Sequence, residues 1–151
     1  MSAKALRLIF LLSCVLIAAS ALAQEGNPAK GTWVGHYGSP PTPQNRIVVV
    51  MDYDGRNITG VLNPGPNAVP LKVARMDITP GTPAGRGTAA VMPVFKMRIE
   101  ADARDARGNT VAIVADGTMS NVPLPNRYIT GTWSQTTNGN TVRNNFTITR
   151  Q

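Results

Sequence analysis

Short runs of β-branched and apolar residues, separated by turn chemistry, fill the chain from residue 31 to its end, and no window holds an apolar period of 3.6. Eight such runs can be drawn: 31–37, 46–53, 57–62 and 69–78, then 91–101, 110–118, 127–134 and 142–149. In the fifth, Phe95, Met97 and Ile99 share one face while Lys96, Arg98 and Glu100 share the other. That is the period-two pattern of a strand wet on one side. Asp54-Gly55-Arg56, Arg107-Gly108-Asn109 and Asn138-Gly139-Asn140 are hairpin signals, and Pro/Gly-rich connections occupy the remaining gaps. Links this short pair sequential strands antiparallel. Eight strands in a meander can close into an up-and-down barrel, which removes the two edges an open sheet would expose. The predicted fold is therefore all-β, an eight-stranded antiparallel up-and-down barrel over 31–151. Closure pairs 31–37 with 142–149, antiparallel.

Both tryptophans of the chain stand in the same triplet, Gly31-Thr32-Trp33 and Gly131-Thr132-Trp133. In a closed meander these lie on the first and seventh strands, flanking the eighth. Glycine permits strong local twist where a barrel curves, and tryptophan plugs an end. A Gly-X-Trp in the first strand and a basic residue ending the last one, here Trp33 and the Arg150 of "FTITR", resembles the signature of the calycins, which include lipocalins and avidins. The resemblance implies an eight-stranded barrel, often holding a small apolar ligand, with the tryptophan stacked under the basic side chain at the closed end. It puts a guanidinium within about 6 Å of the Trp33 ring, Arg150 being the first candidate and Arg143 the second. The chain departs from these families too. The lipocalin Thr-Asp-Tyr motif is absent, there is no disulfide, and two tryptophans are few for an avidin-type site.

The N-terminal stretch belongs to a different kind of segment. Lys4 and Arg7 precede an apolar run from Leu8 to Ala19, followed by Ala21-Leu22-Ala23. This is the pattern of a secretory signal peptide, 1–23, cleaved after Ala23. The run is shorter than the roughly 20 apolar residues a spanning helix needs, so no stable membrane insertion is expected after cleavage. Val15 to Ala19 continue the run beyond Cys14, which disfavours lipidation there. The predicted mature chain has an N-terminal extension, 24–30, and is secreted or periplasmic. Without Cys14 it has no disulfide and no thiolate chemistry. Thirteen Lys/Arg remain (15 less Lys4 and Arg7) against eight Asp/Glu, a balance of +5. These cations are scattered singly, the pattern of a solvated surface, so nucleic acid is not an expected partner.

Chemistry-bearing constellations are few. His36 is the only histidine, which leaves no histidine pair for a metal. If Trp33 faces inward, alternation turns His36 outward and Tyr37 inward. Asp52 and Asp54 flank a turn and lack the spacing of an EF-hand loop. Glu100, Asp102 and Asp105 alternate with Arg98, Arg104 and Arg107 in a charge-balanced hairpin. No Gly-X-Ser-X-Gly elbow is present. No catalytic residue, metal or cofactor is assigned, and an enzyme is the least favoured reading. An eight-stranded barrel is wide enough to fill with side chains or to hold one small molecule. Alternation assigns Tyr37, Met51, Tyr53, Phe95, Met97, Ile129, Trp133 and Phe146 to its interior, as a candidate lining for a small apolar ligand or simply as core. The alternative is an interaction or inhibitor module with a filled barrel, presenting loop 37–45 to a protein partner.

Overall fold

The computed structural model describes residues 26–38 and 44–151. Eight strands follow one another: β1 Gly31–Tyr37, β2 Asn45–Tyr53, β3 Ile58–Leu62, β4 Val69–Thr79, β5 Val94–Arg104, β6 Thr110–Ser120, β7 Tyr128–Thr137 and β8 Asn140–Arg150. Each pairs antiparallel with its neighbours in sequence, and the barrel closes where β1 meets β8. The closing ladder runs from Trp33 opposite Arg150 to Tyr37 opposite Phe146. This is the predicted all-β closed barrel, and it is consistent with a calycin-like fold. The proposed leader, 1–23, lies outside the described residues.

The strands obey the expected alternation. Ile47, Val49 and Met51 on β2, Met97, Ile99 and Ala101 on β5, and Phe146 and Ile148 on β8 are buried. Lys72, Lys96, Asp102 and Asp116 point the other way and are exposed. A charged outer face around an apolar inner one inverts the pattern of a barrel that faces lipid. On the outer face Arg98 bridges Glu100 at 2.7 Å and Asp116 at 2.8 Å, and Lys72 reaches Asp102 at 2.8 Å. Of the acids of the charge-rich hairpin, Glu100 and Asp102 thus find cations on β5 and β4, while Asp105 is held by Asn109.

The fifth strand lies three residues beyond the sequence pattern at each end. The fifth strand starts at Val94 rather than 91, because Pro93 has no N–H to give a ladder. Val91 instead bridges Thr82, within a long excursion between β4 and β5. At its other end the strand runs on to Arg104, where the β6 ladder compensates for weak strand formers. The Asn138-Gly139 turn forms as expected, with both residues at positive φ (49° and 80°), the geometry of a tight type I′ hairpin.

The twin Gly-Thr-Trp triplets use glycine for different reasons. Gly31 has φ +134°, a conformation side chains rarely adopt, and a Cβ there would lie 2.9 Å from Arg150 Nε. Gly131 sits opposite Gly117 on β6 and Phe146 on β8. A Cβ on Gly131 would collide with the Asp116 carbonyl oxygen and the Gly117 Cα. The Phe146 ring occupies the space these glycines leave, its Cζ 2.9 Å from where a Gly117 Cβ would stand. An aromatic ring laid over glycines keeps a sharply curved sheet packed.

Candidate functional site

The two ends of the barrel are built differently. At the Trp33 end the chain preceding β1 folds underneath. Asn27 Oδ1 accepts from the Ala29 N–H at 2.9 Å, and the Ala29 carbonyl accepts the Trp33 indole N–H at 2.7 Å. Trp33 and Ala29 are fully buried. Arg150 stands directly across the ladder from Trp33, on the inner face two positions after Ile148, with its side chain running over Gly31. Arg143, the second candidate, is exposed and lies opposite Ser134, farther along the barrel.

The buried guanidinium at the Trp33 end is Arg127, 7% exposed. Its Nε donates to the Leu124 carbonyl at 3.3 Å and its Nη1 to the Pro28 carbonyl at 3.2 Å. The Arg127 carbonyl in turn accepts the Arg150 N–H at 2.9 Å. Sequence reading did not single out Arg127.

A groove of about 780 Å³ opens beside this plug, within the size range of small-molecule sites. Gly26 and Pro28 form one wall, Met92 to Phe95 another, and Thr118 to Leu124 with Arg127 the rest. Its rim carries large apolar side chains in water: Met92 is 71% exposed, and Val94 and Leu124 are also exposed. Clustered exposed apolar residues mark interaction or ligand sites more often than single ones do. The sequence signal for this groove was present in "VMPVF" and "NVPLPNR", where apolar residues sit inside Pro-bearing connections. Strand alternation says nothing about such residues.

Of the proposed interior residues, Met51, Met97, Ile129, Trp133 and Phe146 belong to one buried core, and Tyr37 and Phe95 pack against it. Tyr53 closes the β2–β3 end instead, its hydroxyl donating to the Gly55 carbonyl at 2.8 Å. Phe95 alone of the eight also lines the groove. Seven of the eight thus lie in or against the core, and the groove opens beside them at the barrel rim. Residues 39–43 of the proposed interaction loop lie outside the described residues.

Toward the other end, Tyr37 stacks on Trp133 with centroids 4.8 Å apart, and Phe146 meets Trp133 edge-on at 6.3 Å. Trp133 is 2% exposed, yet its indole Nε1 has no acceptor among the described residues. A buried donor left in that state costs about 1–3 kcal/mol.

Among the described residues, the acids with lowered pKa lie at or beside turns. His36 is exposed on the outer face. Asp52 pairs with Lys30 at 2.8 Å, which together with the Tyr53 N–H holds its carboxyl below the usual value. Asp54 accepts from the Asn57 and Arg56 N–H groups, and Asp105 from the side chain and backbone of Asn109, so both are also lowered. Among the described residues no three His, Cys, Asp or Glu side chains are grouped to hold a metal. Comparison with family models, curated proteins and solved structures found no match.

Proposed function

We propose that this is a calycin-like binding protein that takes a small apolar ligand in the groove at the Trp33 end. The observation that carries the reading is the groove itself, a space of about 780 Å³ rimmed by the exposed Met92, Val94 and Leu124. Closing a ligand over these side chains removes apolar surface from water, at roughly 25 cal/mol per Å². Barrel closure and the Trp33–Arg150 juxtaposition support the calycin likeness. The leader pattern of 1–23 supports a secreted or periplasmic site of action, which intact mass of exported protein tests: the chain should begin at Gln24.

Titration with the neutral fluorophore N-phenyl-1-naphthylamine, with native mass spectrometry for stoichiometry, tests the binding. One probe per chain is expected. Leu124→Asp and Met92→Asp, which alter exposed rim residues, should each weaken it at least tenfold. Absence of stoichiometric binding, or unchanged affinity in both variants, would remove this function.

A further inference from the structure

The connection between β4 and β5, residues 80–93, leaves the barrel as an arm. Its two limbs meet only at isolated bridges, Thr82 with Val91 and Gly85 with Thr88. Each bridge is a pair of backbone hydrogen bonds, both 2.9 Å in the first and 3.2 and 3.3 Å in the second. Every residue from 82 to 94 is exposed. At the tip, between Gly85 and Gly87, stands Arg86, the one cation of the arm. Its side chain makes no ion pair or hydrogen bond with another described residue. Gly87 has φ +79°, and glycine on both sides leaves the backbone free to change conformation.

We infer that the Arg86–Gly87 peptide bond is a processing site for an arginine-specific serine protease, whose cut leaves the barrel closed and unfastens the arm. Such a protease takes the guanidinium in a pocket with a carboxylate at its base. Its serine attacks the Arg86 carbonyl carbon, the C–N bond breaks, and Gly87 leaves as an amine. Water then hydrolyses the acyl-enzyme, and Arg86 ends as a carboxylate. The bond must first open out of its turn, so local stability decides which exposed arginine is cut. Small residues at an exposed loop tip favour nicking there. Arg56 and Arg107 also sit at exposed turns, but both turns are tied down. The Arg56 N–H donates to Asp54 and the Arg107 N–H to Asp105, each at 2.8 Å. Ladders begin directly beside them, at Tyr53–Ile58 and Arg104–Thr110. The remaining cations among the described residues lie on or next to strands. Cutting at the tip turns each limb into a free end, joined to the other by the Thr82–Val91 bonds. Met92 and Pro93, just beyond that bridge, wall the groove. The cut therefore loosens that wall, a consequence for binding that rests on the function proposed above, whereas the cut itself does not.

Limited digestion of the folded protein with trypsin, followed by intact mass, tests this without any ligand. Within 26–151 the first cut should give one fragment ending at Arg86 and one beginning at Gly87, which stay together in native gel filtration. Arg86→Gln, a change at an exposed side chain without partners, should lengthen the half-life of the uncut chain about tenfold or more. In the nicked protein the Thr82 and Val91 amides should exchange about tenfold faster or more, while the β5–β6 ladder keeps its protection. A first cut after Arg56 or Arg107, or an equal half-life for Arg86→Gln, would overturn the site. Fragments that separate or unfold would show degradation in place of processing. Unchanged exchange at Thr82 and Val91 would show that the cut does not unfasten the arm.

Discussion

The Trp33 indole N–H donates to the Ala29 carbonyl at 2.7 Å, so the segment before the first strand is fastened to the barrel floor by the tryptophan it helps bury. The bond satisfies the one polar atom of a fully buried side chain. Burial and hydrogen bonding therefore act on the same residue.

Replacing Trp33 separates the two effects. Trp33→Ala should cost about 3–5 kcal/mol, the range for truncating a buried aromatic. Trp33→Phe keeps much of the ring but leaves the Ala29 carbonyl without its donor, and should cost about 1–3 kcal/mol. Urea denaturation of the three proteins measures both. Equal midpoints for Trp33→Phe and wild type would mean that the hydrogen bond contributes nothing.

Glycine at 131 is required by the backbone of the next strand. Gly131→Ala drives a methyl into the Asp116 carbonyl and Gly117 Cα, which cannot move without breaking the β6–β7 ladder. A loss of about 1–3 kcal/mol or more is expected, as for overpacked cores. Gly55→Ala is the control: its site at φ +96° is open, so only conformational strain of about 1–2 kcal/mol applies. Hydrogen exchange distinguishes them, because only Gly131→Ala should expose the β6 and β7 amides.

Acid should weaken the protein through its turns. Asp54 and Asp105 titrate below the ordinary 3.8 because N–H groups of Asn57 and Arg56, and of Asn109, bond their ionised forms. A carboxyl lowered in the folded state contributes stability that is present above its unfolded pKa and lost as pH falls through the folded one. Melting temperature should therefore be insensitive to these groups above about pH 5 and should decline below about pH 4. Asp105→Asn should lower the neutral-pH melting temperature and flatten that acid limb. An unchanged acid limb would show that the turn carries no such linkage.

The barrel was legible because its signals are local and periodic. Phe95, Met97 and Ile99 against Lys96, Arg98 and Glu100 fix a face, and Asn138-Gly139 fixes a hairpin. Strand count then fixes which strands meet, and the calycin resemblance picks out Arg150, which stands across from Trp33. Alternation could not assemble the groove, since its walls join Pro28, Met92 and Leu124 from connections that have no period. Arg127 is the first residue of the seventh run, where alternation gives no sign of its burial. It precedes β7 in a loop, and its burial depends on carbonyls of Pro28 and Leu124 that only the closed barrel brings together.

Arg127 supplies the last prediction. Its guanidinium ties the chain before β1 to the loop before β7, through the Pro28 and Leu124 carbonyls, while its own carbonyl holds the end of β8. Hydrogen bonds to a charged group contribute about 1.5–3 kcal/mol, and removing this buried side chain also opens the groove wall it forms. Arg127→Ala should therefore destabilise the protein by about 2–4 kcal/mol. Arg127→Lys should recover little of that loss, since a point-like ammonium cannot span two carbonyls as a planar fork does. Amide exchange locates the effect: Ala29, Lys30 and Arg150 should lose protection while the β5–β6 ladder keeps it. Full rescue by lysine would mean that charge alone matters at this position, and the account of Arg127 as a geometric clamp would fall.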